Sequence, residues 1–408
     1  MAGDVLAGAQ AARPAASHDR PFAGVRVCDV AQGIAGPHAA MLLAQYGADV
    51  IKIEGLDGDW VRNMGGRIAG DQSAQSLTNN RGKRSVALDL KNPKAAEIAR
   101  RIAARSDVFT QSFRPGVIER LGLGYETIRA LRPDVVYLTV SGFGQEGPLA
   151  RKPATDAILQ GFSGLQSITR DGNDVPQRVG MAIIDFLTGL YAFQAVATAL
   201  YARAAGAGGR LVDVSLMGSA IAVQAGQFIR HHVQGGQPPA NGIPVGTFRT
   251  TDGWLNLAAN RPDSFGKVCD ALGLDALKNR PDLDTHQKRV WKSAEINAAL
   301  AVPLATRSTA DWIAFFEKLD ILCTRVNEYG DVLADEHVKA VGTFTWIDQP
   351  GVGTIPVPNP PGPATLAPDD PRGPSPSVGQ HTREVLREIG LGDGDIDGLA
   401  AEGAVALG

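Results

Sequence analysis

Between residues 24 and 144, short apolar runs built on β-branched residues alternate with longer stretches in which apolar positions recur every three or four residues. GVRVCDV (24–30), DVIKIE (49–54), SVALDL (85–90), DVFTQSF (107–113) and DVVYLTVSGFG (134–144) have the first pattern and predict strands. GPHAAMLLAQYGA (36–48), PKAAEIARRIAARS (93–106) and GVIERLGLGYETIRALRP (116–133) have the second and predict helices, the middle one opening on a proline suited to a first helical turn. Strands alternating with helices imply right-handed crossovers and a mostly parallel sheet covered on both faces, a Rossmann-like arrangement.

After residue 144 the texture changes. DAILQGFSGLQSIT (156–169) predicts a helix, RDGNDVPQR (170–178) a polar turn, and residues 186–205 a long helix apolar on nearly every face and therefore buried on nearly every face. RLVDVSL (210–216) predicts a further strand. Gly and Pro content marks a linker over 221–240, and GTFRTTDGWLNLAA (246–259) reads as a hairpin turning at Asp252-Gly253. Helical patterns then dominate to about residue 320, which predicts a smaller α+β domain over 241–330 inserted in a large domain of 21–220 and 340–408. Residues 348–379 are proline-rich and predict an extended surface connector ending in the short helix QHTREVLREIG, and residues 1–20 predict a flexible tail.

Composition narrows the function. A chain of 408 residues with 44% hydrophobic and 20% charged residues can bury a sizeable core, and a net charge of −3 gives no general attraction to nucleic acid or anionic membranes. The N-terminus lacks a signal-peptide pattern, and no uninterrupted apolar run predicts a membrane span. Cys28, Cys269 and Cys323 are far apart and odd in number, which argues against a disulfide framework and fits a reducing cytoplasm. His38, His231, His232 and His381 show no metal-binding spacing, and no serine sits in a nucleophile elbow, so neither a metal site nor a hydrolase triad is expected.

A parallel sheet binds ligands beyond the carboxyl ends of its strands. Neither the dinucleotide fingerprint nor the P-loop is present, yet Arg81, Lys83, Arg84, Lys91, Arg114 and Arg120 gather near strand-to-helix turns, where a ligand with several phosphates could use them. Asp185 stands alone in the apolar stretch VGMAIIDFLTG (179–189). At the start of the long helix it suits an N-cap, and equally a partly desolvated nucleophile beside amide donors for an oxyanion.

GVRVCDVAQGIAGPHAAMLLAQYGADVIKIE, NNRGKRSVALDLKNP, FRPGVIERLGLGYE, SGFGQEGP, ATDAILQGFSGLQSIT, VGMAIIDFLTGLYA and GQHTREVLREIGL, in that order from about Pro21 to Leu391, resemble the class III CoA-transferase family, also called CaiB/BaiF. The resemblance implies a Rossmann-like large domain built from both chain ends, an inserted small domain, and an interlocked homodimer. It implies acyl-CoA and a small carboxylic acid as substrates, no permanently bound cofactor, and Asp185 as the catalytic aspartate, passing through an anhydride and an enzyme-CoA thioester. Ligand contacts then fall on Gln32, Gly33, Ile34, Lys91, Arg114, Arg120 and Asp156.

α-Methylacyl-CoA racemases share the fold but carry a histidine where this chain has Thr155, and threonine cannot exchange a proton with an α-carbon at neutral pH. The formyl-CoA:oxalate branch has a glutamine where this chain has Ile34, and its glycine-rich loop has no counterpart in NGIPVGTFRTTDGW. A larger acid is therefore expected, such as a dicarboxylate with succinyl-CoA as donor. A non-catalytic acyl-CoA-binding subunit and a hydrolase that loses the anhydride to water are the other readings.

Overall fold

The computed structural model describes residues 14–171, 173–235, 242–259, 261 and 263–408. The chain divides into two compact units, Met1–Ala225 with Gly342–Gly408, and Gly226–Val341. In chain order the strands are β1 (Arg26–Asp29), β2 (Asp49–Glu54), β3 (Lys83–Leu88), β4 (Val108–Gln111), β5 (Val136–Ser141) and β6 (Arg210–Ser215). They are followed by β7 (Val245–Arg249), β8 (Trp254–Ala258), β9 (Leu322–Arg325), β10 (Phe344–Gln349), β11 (Gly353–Pro358) and β12 (Val405–Ala406).

The first unit is built on a seven-stranded sheet in the order β12-β3-β2-β1-β4-β5-β6. All neighbours are parallel except β12, which runs antiparallel along β3. Strict alternation covers both faces: Cys28, Ile51 and Phe109 point into one apolar layer, while Val27, Val50 and Val108 point into the other. Val385 and Leu386, from the helix Thr382–Glu388, enter the first layer, so the end of the chain completes a core begun near its start. Strand order reverses at β1, with β2 and β3 on one side and β4 to β6 on the other. The loops after β1 and β4 diverge there and leave a crevice.

Several expectations are corrected. Arg81, Lys83 and Arg84 are not a phosphate cradle. Lys83 is fully buried and donates to Asp29 (2.8 Å), the Pro37 carbonyl (2.9 Å) and Asn80 (3.1 Å), so its three protons are all used. Arg81 is buried against the Pro358 carbonyl, and Arg84 pairs with Asp49, Glu384 and Glu388. The proline-rich connector does not simply run extended: β10 and β11 form an antiparallel hairpin. Pro356 and Pro358 are two residues apart, so their missing N–H groups fall on the same free edge and interrupt no pairing. The Pro374 and Pro376 carbonyls then accept from Gly82, Arg62 and Gln72, which stitches the rest of the connector to the sheet.

The long helix spans Ile183–Ala202 and is not buried on all sides. Ile184, Ala192 and Val196 belong to the core, but Leu190 and Tyr201 are exposed. The Ile183–Ala207 stretch is the one helix among the described residues long and apolar enough to cross a bilayer, and it is partly buried inside the fold. Within the stretch expected as a linker, Ala225–Gln234 is helical, and 236–241 lie outside the described residues, as do 1–13 of the expected tail. The second unit pairs β7 with β8 as a hairpin and adds β9, which the sequence reading missed, as a third antiparallel strand. Cys323 lies on β9 and is half-buried there.

Removing one partner of a buried ion pair leaves an uncompensated charge. Asp29→Ala is expected to lower stability in urea unfolding by about 3–5 kcal/mol, with Lys83 stranded. A midpoint equal to the native one would show that Lys83 does not depend on Asp29.

Candidate active site

The loop after β1 is held by groups that come from three neighbouring segments. Asp29 accepts from the Ala31 amide (3.1 Å), and Lys52 on β2 donates to the Ala31 carbonyl and to Asp59 (3.0 Å). Asp59 in turn accepts from the Gly33 amide (3.0 Å), while Ser112 after β4 accepts from Gln32 N–H (2.8 Å) and donates to its carbonyl (3.0 Å). Gly33 has φ +80°, and a Cβ there would lie 2.6 Å from the Trp60 ring, so only glycine fits between loop and indole.

This pinned loop forms one wall of a cavity of about 510 Å³ at the strand-order reversal. Gln32, Gly33 and Ile34 line it from the β1 side, Arg114 from the β4 side, and Asp185 faces the same space. Trp60, Lys152 and Thr155 complete the part that matters chemically. A second cavity of about 450 Å³ shares Gln32, Phe113 and Val117 as wall residues and is lined by Lys91, by Glu54, Asp57 and Asp89, and by apolar side chains at the ends of β2 and β3. Arg120 lines neither; it is exposed at the end of the short helix Val117–Arg120. Lys152 and Trp60 were missed by the sequence reading. The available signals were a lysine just ahead of PATD and a tryptophan in the polar loop after β2.

Asp185 is the third residue of its helix, within the first turn, and caps nothing. The N-cap position is Ala182, which has no side-chain acceptor. The cap comes from elsewhere in the chain: one Asp156 oxygen accepts from the amides of Ile184 (2.6 Å) and Asp185 (3.3 Å). The other oxygen accepts from Gln160 (2.6 Å). Asp156, expected among the ligand contacts, is therefore buried beneath the cavity with both oxygens engaged by the protein. The amides of Ile183 and Phe186 go to the Met181 and Ala182 carbonyls, so this helix start offers none of its first four amides to an oxyanion, contrary to expectation.

Gly189, one turn beyond Asp185, sets how near the helix approaches the helix Ala35–Gln45. A Cβ on it would meet His38 at 2.8 Å and the Ala35 carbonyl at 3.0 Å. Residues four apart share a helix face, so this close contact also brings Asp185 toward Ile34 and Ala35. His38 donates through Nδ1 to the Asn79 side-chain oxygen (3.1 Å), and burial pushes its pKa down to about 4, so it is neutral near pH 7. Thr155 carries no group able to move a proton from carbon.

Burial, and after it the charge of Asp156, pushes Asp185 up to about 7. Between the ordinary carboxylate value and about 7 the folded protein holds a proton that the unfolded chain has released, so stability falls as pH rises through that window. Asp185→Asn removes the ionisation and is expected to raise the melting temperature relative to native at pH 8 but not at pH 4. Equal differences at both pH values in thermal melts would show that Asp185 titrates normally.

The profile of CoA-transferase family III matches residues 22–382. A Mus musculus protein named succinyl-CoA:glutarate CoA-transferase is 33% identical over 95% of this chain and 90% of its own length. One from Agrobacterium fabrum named succinate–glutarate CoA-transferase is 31% identical over 90% of this chain and 96% of its own. The crystal structure of a CaiB/BaiF family protein from Brucella suis superposes with a TM-score of 0.79 at 30% identity, covering 91% of this chain and all of that one. With a parallel sheet that opens at its strand-order reversal and an aspartate facing the opening, the chain belongs to CoA-transferase family III.

Proposed function

We propose that the protein moves CoA from succinyl-CoA to a small dicarboxylic acid, with Asp185 as the covalent nucleophile. The observation that carries this reading is a desolvated carboxylate of raised proton affinity facing a cavity that also holds the cations Arg114 and Lys152. A desolvated carboxylate is a stronger nucleophile than a hydrated one, and cations in the same space suit substrates that are anionic at both ends. The names of the mouse and Agrobacterium relatives support the choice of acids.

Asp185 attacks the thioester carbonyl of the donor, the C–S bond breaks, and the electron pair leaves on the CoA thiolate. The product is a mixed anhydride of Asp185 and succinate. The thiolate then attacks the aspartyl carbonyl, which expels succinate and leaves CoA on Asp185 as a thioester. The acceptor carboxylate attacks that carbonyl and expels the thiolate again, forming a second anhydride. Attack of the thiolate on the acceptor's acyl carbonyl completes the new thioester and returns Asp185 as a carboxylate. Every step moves one acyl group between oxygen and sulfur and consumes no water, so both anhydrides last only as long as water is kept from them.

Gln32, Gly33 and Ile34 are assigned to the arm of CoA that reaches Asp185, and Lys91, with Arg120 from outside both cavities, to its phosphates; the carboxylates of Glu54, Asp57 and Asp89 on the second cavity suit the sugar and base of the nucleotide end better than its phosphates. A homodimer is also proposed, because the family resemblance implies one and the first unit leaves the large apolar side chains of Ile158, Phe162, Met181, Leu190 and Tyr201 exposed. A cytoplasmic location is the setting consistent with free thiols at Cys28, Cys269 and Cys323. Thr155 counts against a racemase, and the retained, perturbed Asp185 counts against a mere acyl-CoA-binding subunit.

The test is to incubate the protein with succinyl-CoA and, separately, acetyl-CoA and formyl-CoA, with a pool of mono- and dicarboxylic acids, and to follow new CoA thioesters by mass spectrometry. New thioesters of dicarboxylic acids are expected from succinyl-CoA, with rates lower by on the order of a thousandfold or more in Asp185→Ala. Free CoA without any acceptor, or formyl-CoA as the best donor, would overturn the reading. In sedimentation, a stable active monomer would remove the dimer.

A further inference from the structure

The helix that carries Asp185 is started by a side chain from a different helix. Asp156 is the first residue of the helix Asp156–Phe162, 29 positions before Asp185, and is 8% exposed. Its oxygens are divided between the Ile184 and Asp185 amides on one side and Gln160 on the other. Gln160 is fully buried and also grips the segment leading into the helix, accepting from the Val179 amide (2.9 Å) and donating to the Met181 carbonyl (3.2 Å). Asp156 and Gln160 together thus fix both the approach to the long helix and its first turn.

Capping alone does not require a charge at this position. Asn, Ser or Thr accepts from first-turn amides about as well as Asp. An aspartate adds a negative charge behind another carboxylate, where like charges repel, and it cancels the positive end of the helix dipole that would otherwise favour ionised Asp185. We propose that Asp156, clamped by Gln160, is a positioning residue for Asp185, fixing its main chain against the cavity and keeping a second negative charge behind it.

The proposal rests on the reading of Asp185 as nucleophile and gives the second charge a purpose. Each covalent intermediate turns Asp185 from an anion into a neutral acyl group. Repulsion from Asp156 is therefore felt in the free, ionised enzyme and relieved on acylation, which favours the forward step. The cost is a smaller ionised fraction near neutral pH. Other charged groups facing Asp185 are Arg114 and Lys152 across the cavity, while His38, on the helix packed against it, is uncharged. After burial, the charge of Asp156 is what raises the proton affinity of Asp185.

The experiment compares native protein with Asp156→Asn, which keeps an acceptor oxygen and loses the charge, and with Gln160→Met, which keeps the charge and releases the clamp. The Asp185 carboxyl is followed by 13C NMR of aspartate-labelled protein from pH 4 to 9, identified by its loss in Asp185→Asn. In Asp156→Asn the midpoint is expected to fall by about one pH unit, and the acid limb of the kcat profile with it. The plateau kcat should drop while KM for succinyl-CoA is unchanged, because Asp156 does not line the cavity. In Gln160→Met kcat falls with the midpoint unmoved. An unmoved Asp185 midpoint in a folded Asp156→Asn variant reduces Asp156 to a helix cap and overturns the proposal. If Asp156→Asn does not fold, native kcat in Gln160→Met overturns it instead. The titration needs no turnover, so absence of CoA transfer in the native enzyme would defeat the proposed function separately.

Discussion

Buried charge carried by β1, β2 and β3 and by the loop after β2 is the constraint on which the site depends. Lys52 and Lys83 have fully buried side chains and are neutralised by Asp59 and Asp29, whose side chains are equally buried. Burying such pairs is a poor way to gain stability, because desolvation offsets most of the Coulomb attraction. Their value here is geometric. Asp59 takes both the lysine and the Gly33 amide, and Asp29 takes both the other lysine and the Ala31 amide. Each carboxylate thus ties a charged side chain from a neighbouring strand to one peptide of the loop, so the loop cannot shift without uncovering a charge. Glu54 and Arg62 extend the same logic outward, through Arg62 to the Pro376 carbonyl of the late connector.

Opposite this fixed loop stands a helix that is also fixed from outside itself. Gly189 lets it approach the helix Ala35–Gln45 closely, and Asp156 holds its first turn. The proposed nucleophile is therefore placed by two independent contacts, one apolar and one polar. A shift in either changes its distance from Ile34 and Arg114. The absence of open amides at this helix start carries a chemical consequence: charge that develops on a thioester oxygen has to be met by other groups around the cavity.

Much of the fold was legible because its strands are short, β-branched and separated by helical periods, and the alternation in Val27-Cys28, Val50-Ile51 and Val108-Phe109 is what a sheet covered on both faces requires. Asp185 was legible because a lone carboxylate in an apolar run is unusual. Other features depended on partners far away in sequence. Lys83 reads as a surface cation until Asp29, 54 residues earlier, is seen against it, and Asp156 reads as a ligand contact until the amides 28 and 29 residues later are seen on it. The hairpin of β10 and β11 was hidden by its prolines, which argue against a strand unless their side of the ladder is known to be free. The exposed flank of the long helix was misread because hydrophobicity reports that a face will be covered and not by what.

A transferase that works through one carboxylate must pass the same point twice, with the departing acid and the entering acid as alternate occupants of one space. Any side chain that favours one acid strongly over the other would slow the half-reaction that releases it, since only differences between bound state and transition state accelerate a step. Selection is then best made on features the two acids share, such as a remote charge facing Arg114 or Lys152, and only weakly on chain length, where one methylene is worth about 1–3 kcal/mol. The strong discrimination available to such a site lies against water, and bound substrate itself has to exclude it from a cavity that is partly open. The site fits that demand with a loop held by hydrogen bonds on one wall, closely packed helices on another, and its charges either paired beneath the surface or lining the cavity.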